Sequence, residues 1–209
     1  MWTERSVQKG EGEIDTHQNK LNKRDRILYA AIDLIAEKGF LGAPTSMIAA
    51  KAGVGVGSLY RYFKNKEDLI HSLFNELLCA MYPQLQPVEP DAPLREQILQ
   101  LFIRTFSFLY ENPKIFIFLE QYFNSPYGIE RRRYLLFGMT DQEVASSLPL
   151  MFQKGRAQQI LKDFPLPMLL SLAFGPVLYL LRDVYNGLIA YEDIDLLKFS
   201  EAVWDGIKR

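Results

Sequence analysis

The sequence predicts an all-α fold, with an N-terminal three-helix helix-turn-helix domain followed by a larger C-terminal helical domain. Apolar residues recur at helical spacing in every strongly patterned segment. No hairpin dipeptide is flanked by alternating apolar residues, and no internal repeat is visible. Residues 45–66 read as a short helix, a glycine turn, a second short helix rich in aromatic and basic side chains, and a new helix start.

The elements follow in order. Between Arg24 and Lys38, the set Ile27, Ala30, Ala31, Leu34 and Ile35 makes an i, i+3, i+4, i+7, i+8 stripe, and Gly39 is a natural stop. Pro44 suits the first position of a second helix that ends at Gly53. A third runs from about Gly57 to Phe63. Asn65 caps a fourth, with Glu67 and Asp68 in its first turn and Leu69, Ile70, Leu73, Phe74, Leu77 and Leu78 on one broad face. The stretch Tyr82 to Pro93, with four prolines, is expected to be non-helical and to form the domain junction. Helical patterns then cover 94–111, 113–124, 127–137, 141–156, 165–187 and 193–207, separated by Asn112-Pro113, Ser125-Pro126 and Phe164-Pro165-Leu166-Pro167. The resulting division is a disordered tail at 1–20, a helix-turn-helix domain at 21–81 and a helical domain at 94–209.

Composition narrows the class. A chain of 209 residues, 48% hydrophobic, can bury a sizeable core. No run of about 18 uncharged apolar residues is present, so no membrane span is expected, and Met1–Lys20 lacks the apolar segment of a secretory signal. The single Cys79 excludes an intramolecular disulfide and suits a reducing cytoplasm. The net charge of −1 hides an asymmetry: residues 20–66 carry nine Lys/Arg against three acids, a balance of +6, whereas 67–209 carry −5 and the tail −2. A basic segment joined to an acidic body suits a nucleic-acid module attached to a separate domain.

In helix-turn-helix geometry the second helix lies in the major groove with its first residues against base edges. Those residues are Val56, Gly57 and Ser58, followed by Tyr60, Arg61 and Tyr62, while Leu59 and Phe63 face inward onto Ile48. Arg61 and Ser58 can bond bases or phosphates. Thr45 and Ser46, opening the preceding helix, and Lys66, opening the following one, suit phosphate oxygens. Taken singly, Tyr60 and Phe63 read as core and Arg61, Lys64 and Lys66 as a solvated face; their joint spacing reverses that reading.

The run Ile48-Ala49-x-x-Ala52-Gly53-Val54-x-x-Gly57-Ser58-Leu59-Tyr60-x-Tyr62-Phe63-x-Asn65-Lys66-Glu67-x-Leu69 resembles the DNA-binding domain of the TetR family of transcriptional repressors, over roughly residues 21–81. The resemblance implies a homodimer on a palindromic double-stranded operator, released when a small molecule enters the C-terminal domain. It places DNA contacts on Thr45, Ser46, Val56, Gly57, Ser58, Tyr60, Arg61, Tyr62 and Lys66. Two departures stand out: Ala43 supplies no capping hydroxyl, and Val56 and Gly57 bring no hydrogen-bonding side chain to base-facing positions.

Other signals carry less. Gly53-x-Gly55-x-Gly57 follows a helix rather than a strand, so it is turn geometry and not a nucleotide loop. His17 and His71 join no cluster with metal-ligand spacing, no nucleophile–base–acid set is visible, and no pattern calls for a cofactor, so the chain reads as a non-enzyme. Arg131-Arg132-Arg133 reads as a solvated helix start or an ion-pair site.

The C-terminal body is rich in aromatics. Phe102, Phe106, Glu120, Phe123, Tyr127, Phe174 and Tyr179 are the expected lining of a pocket for a small apolar or aromatic effector. Glu120 alternatively pairs with Arg104 or Arg182. The segments 165–187 and 193–207 are apolar on more than one face, which suits packing on a twin subunit. The sequence therefore predicts a cytoplasmic, homodimeric, ligand-released repressor; the rival reading is a small-molecule binding protein with a vestigial helix-turn-helix.

Overall fold

The computed structural model describes residues 22–87, 89–129 and 147–209. The expected tail at 1–20, the arginine triplet at 131–133 and most of the predicted 127–137 helix lie outside the described residues. The helices are α1 (Lys23–Gly42), α2 (Thr45–Lys51), α3 (Val56–Tyr62), α4 (Lys66–Leu85), α5 (Leu94–Glu111), α6 (Pro113–Phe123), α7 (Ser147–Ala157), α8 (Leu166–Tyr185) and α9 (Leu196–Ile207), with a 3-10 turn at Tyr191–Asp193. Among the described residues the one β-type pairing is an isolated bridge between Leu161 and Lys208.

Two compact units emerge. Among the described residues, the first comprises 22–80 together with 112–129, and the second comprises 81–87, 89–111 and 147–209. Compact unit and sequence segment therefore divide the chain differently: α6, which the sequence groups with the C-terminal body, packs along α1 in the first unit.

In the first unit, the Asn22 side chain caps α1 by accepting from the Asp25 N–H at 2.9 Å. The buried face of α1 includes the predicted stripe and adds Leu28 and Ile32. The helix breaks at Gly39 (φ 72°, ψ 174°), a conformation that favours glycine. Pro44 stands at the cap of α2 rather than inside it, with an extended ψ of 151°, and its carbonyl accepts from the Met47 and Ile48 N–H groups. Gly53 (φ 64°) makes the turn into α3. Asn65 caps the start of α4 through the Asp68 N–H at 2.8 Å, and Asp68 answers by accepting from the Lys64 N–H.

α4 continues through Pro83 to Leu85, which corrects the expectation that the whole stretch from Tyr82 is non-helical. A proline in the final turn forfeits a single backbone donor. The carbonyls left open there are taken by Arg104, whose guanidinium donates to Gln86 O at 2.9 Å and to Pro83 O.

In the second unit, α5 buries Ile98, Leu99, Leu101, Phe102, Thr105, Phe106 and Leu109. Its last carbonyls, on Leu109 and Tyr110, accept from the Tyr185 hydroxyl at 2.8 and 2.7 Å. Burial, reinforced by the neighbouring Tyr110, pushes the Tyr185 phenol well above its ordinary pKa. α8 buries Leu166, Leu169, Leu170, Ala173, Val177 and Leu181 and leaves Met168, Leu172 and Tyr179 exposed. By length and composition it is apolar enough to cross a membrane, although Ser171, Gly175 and Pro176 interrupt its apolar run. The chain end is stitched to residues 160–162: the Lys162 N–H donates to Ile207 O and the Arg209 N–H to Ile160 O, both at 2.9 Å.

Candidate nucleic-acid interface

The helix-turn-helix is fixed from within. Leu59 and Phe63, four residues apart, are buried with Ile48 and Ala49 in the first unit. Burying that pair forces the intervening side chains outward: Val56, Tyr60 and Tyr62 are 40%, 48% and 46% exposed, Arg61 is exposed, and Ser58 is half-buried. The Arg24 guanidinium lies 5.9 Å from the Phe63 ring centroid and pairs with Glu76 of α4 at 2.7 Å, bracing the end of α3.

The hydroxyls of Thr45 and Tyr60 lie 3.0 Å apart, joining the first turn of α2 to the outer face of α3. Neither short helix has a side-chain cap: Pro44 precedes α2, Gly55 precedes α3, and Ala43 is fully buried. A Cβ on Gly55 or Gly57 would meet nothing within 4 Å, and neither glycine has a positive φ. The bareness of the α3 entry is therefore not imposed by internal packing.

The cations differ in availability. The Arg61 and Lys64 side chains are exposed and make no ion pair among the described residues. Lys51 faces Asp33 at 3.3 Å. Lys66 turns back to donate to the Phe40 carbonyl, and burial pushes its pKa down, leaving its other two ammonium donors for a phosphate. Lys38, which sequence spacing does not connect with this surface, places its ammonium 3.9 Å from Met47 Sδ at the first turn of α2. The arrangement offers hydroxyls, phenols and cations along one short helix and its neighbour, the donor set that phosphates and base edges accept.

The residues expected around an effector are split between the units. Phe102 meets Phe174 edge-on at 5.9 Å, and Phe106 stacks over Tyr191 at 6.3 Å, in the second unit. Tyr179 is 63% exposed, with Arg182 over its ring at 4.9 Å. Glu120, Phe123 and Tyr127 belong to the first unit. There Phe123 packs edge-on against Phe74 at 5.7 Å, and Tyr127 lies against Phe40 at 5.4 Å. Within the second unit an open groove of about 420 Å³, lined by Glu89, Glu96, Gln97, Leu99, Gln100 and Leu197, contains none of the seven.

The sequence model described as "Bacterial regulatory proteins, tetR family" matches residues 27–73, and that described as "Tetracyclin repressor-like, C-terminal domain" matches residues 93–208. The chain is 36% identical over 93 residues to the fatty acid metabolism regulator protein of Bacillus subtilis, covering 44% of this chain and 48% of that protein. It spans about half the length of the curated relatives it matches. Its fold is similar to that of a TetR-family regulator from Shewanella sp. PV-4, with a TM-score of 0.79 at 23% identity over 90% of this chain and all of the other. It is also similar to that of FadR from Bacillus subtilis in complex with stearoyl-CoA, with a TM-score of 0.63 at 24% identity, covering 87% and 95% of the two chains.

Proposed function

The chain belongs to the TetR family of bacterial regulatory proteins, and from that membership we propose that it is a DNA-binding transcriptional regulator, a homodimeric repressor that leaves its operator when a small apolar ligand binds. The observation that carries the reading is the outward row Val56–Tyr62 above a buried Leu59–Phe63 pair, with Arg61 and Lys64 exposed and without an ion pair among the described residues. A vestigial motif has no reason to keep that row exposed and its cations free.

On this reading α3 enters the major groove. Ser58 and Arg61 reach base edges, Val56 meets a thymine methyl, and the bare backbone at Gly57 allows close approach. Thr45, Ser46, Tyr60, Tyr62 and the remaining donors of Lys66 hold phosphates and so set register rather than sequence preference. Residues 21–81 form the reading segment and 94–209 the sensing and pairing segment. Its workplace is the cytoplasm.

The exposed side of α8 (Met168, Leu172, Tyr179) supplies an apolar face for the twin subunit in the arrangement expected for 165–187 and 193–207. A twin covering that face also accounts for an apolar helix that its own unit leaves partly open. Two reading heads on one duplex then fit half-sites about one helical turn apart or a small multiple of it. Ligand release follows if the ligand prefers the conformation that fits the operator worse, by the ratio of its two affinities. The resemblance to a regulator crystallised with stearoyl-CoA makes a long-chain acyl-CoA, of which only the acyl chain is apolar, the first probe, with the free fatty acid beside it.

The test is fluorescence anisotropy with a labelled duplex carrying this gene's own promoter, read at several salt concentrations. Binding that weakens steeply with salt and is reversed by an effector supports the reading; no salt-sensitive binding to any promoter duplex refutes it.

A further inference from the structure

The break that launches the helix-turn-helix is gripped from outside it. At Gly39 the chain turns out of α1, and only Phe40–Pro44 separate that turn from α2. A change of direction at Gly39 is therefore carried to α2 and α3. Five contacts from α6, α4 and the segment after α6 hold this corner. The Gln121 side-chain amide donates to the Ile35 carbonyl at 3.2 Å, in the last turn before the break, and Gln121 Oε1 lies 3.5 Å from where a Cβ on Gly39 would stand. The Phe40 ring packs against Phe118 at 5.8 Å and Tyr127 at 5.4 Å. Lys66 donates to the Phe40 carbonyl, and Lys114 pairs with Asp33 at 2.6 Å.

These contacts are not equivalent. Ring packing tolerates rotation, and both lysines reach their partners on long flexible stems. The Gln121 amide is planar, half-buried and directional, and it acts on backbone beside the hinge itself.

We propose that Gln121 is a positioning residue for DNA recognition: by donating to the Ile35 carbonyl beside the Gly39 break, its amide sets the direction in which α1 hands over to α2 and so the pose of the α3 row. The proposal rests on the DNA-binding reading above and adds to it a residue that touches no DNA. It also gives α6 a definite role: this helix lies within the span matched as the C-terminal domain, yet it is built into the first unit.

The test uses the full-length chain and the labelled promoter duplex. Gln121→Met keeps length and loses the donor, Gln121→Glu points an acceptor at a carbonyl, and Gln121→Lys restores a donor. Affinity for the duplex is expected to fall about tenfold in Gln121→Met, the equivalent of one lost hydrogen bond, and further in Gln121→Glu, while Gln121→Lys, which restores a donor without the amide's direction, regains only part of the loss. The slope of log affinity against log salt should stay that of wild type, because no phosphate contact is removed. Hydrogen exchange at the amides of 39–42 should quicken in Gln121→Met at a temperature where melting curves show every variant folded. A Gln121→Met variant that binds and exchanges like wild type overturns the proposal, as do equal losses in the Met and Lys variants or a flattened salt slope. If wild type itself binds no duplex, the DNA-binding reading fails and this proposal with it; if wild type binds and Gln121→Met binds equally well, this proposal alone fails.

Discussion

Gly57→Ala separates what the fold requires from what docking requires. Gly57 is the second residue of α3, has no positive φ, and faces open space where a Cβ would stand. Alanine there should therefore stabilise the free protein, because glycine in a helix costs about 0.5–1 kcal/mol relative to alanine. For a chain of this size each kcal/mol corresponds to roughly 2–4 °C, so a rise in melting temperature of about 1–4 °C is expected. Operator binding should move the other way. If the bare backbone at Gly57 lies against the duplex, a methyl inserted there acts like overpacking in a close-packed interface, at about 1–3 kcal/mol, which is roughly five- to a hundredfold in affinity. Thermal melts and anisotropy titrations on the same preparation read both effects. A lowered melting temperature would refute the claim of open space. A raised melting temperature with unchanged affinity would show that Gly57 lies off the DNA-facing surface.

Three further outcomes follow from the same geometry. Lys64→Ala should flatten the salt dependence of duplex binding by about one unit with little change in melting. Arg61→Ala, which removes a base contact, should cost about 1–3 kcal/mol of affinity and relax the preference at one base position. Lys66→Ala should flatten the salt dependence and also lower the melting temperature, because the Phe40 carbonyl loses its donor. Tyr185 ionises above its ordinary value in the folded chain, so the unfolded chain gives up that proton first: the contribution of this hydroxyl is complete below about pH 10 and is lost as pH rises beyond it. Tyr185→Phe should lower stability at neutral pH by about 1 kcal/mol and melt with less alkaline sensitivity than wild type, as pH-resolved melting curves can show. If the proposed homodimer pairs through the exposed side of α8, Leu172→Glu should lower the sedimentation mass from that of two chains to that of one, and a variant that keeps a two-chain mass would place the pairing surface elsewhere.

Local rules carried the reading of the first four helices. The stop at Gly39, the turn at Gly53 and the cap at Asn65 each depend on one residue and its immediate neighbours, so the sequence displays them. The inward Leu59–Phe63 pair was legible for the same reason, and with it the outward row. Features that depend on distant partners were not. Pro83 stays helical because of Arg104, some 20 residues on, and Lys66 turns inward because a carbonyl 26 residues earlier lies open to it. The aromatic set of the body was legible as aromatic, but spacing along the chain says nothing about which rings share a core; the structure divides them between two units.

One long-range feature did leave a mark in the sequence. Leu28, Ile32, Ile35 and Gly39 are spaced four, three and four apart and fall on one line of α1, beside the stripe Ile27, Ala30, Ala31, Leu34 and Ile35. A three-helix head needs one apolar face on its first helix, and α1 has two adjoining ones, both buried. Gln121 of α6 meets the second line at its far end, through the Ile35 carbonyl and beside Gly39. The break end of α1 is thus held by a helix that arrives some eighty residues later. A fragment ending at residue 81 keeps the complete helix-turn-helix but lacks that helix. It would leave the Ile35 carbonyl without Gln121, Asp33 without Lys114, and His71 without Tyr122, whose hydroxyl lies 2.9 Å from the His71 Nδ1. The helix-turn-helix is contiguous in sequence; the unit that holds it in shape is not.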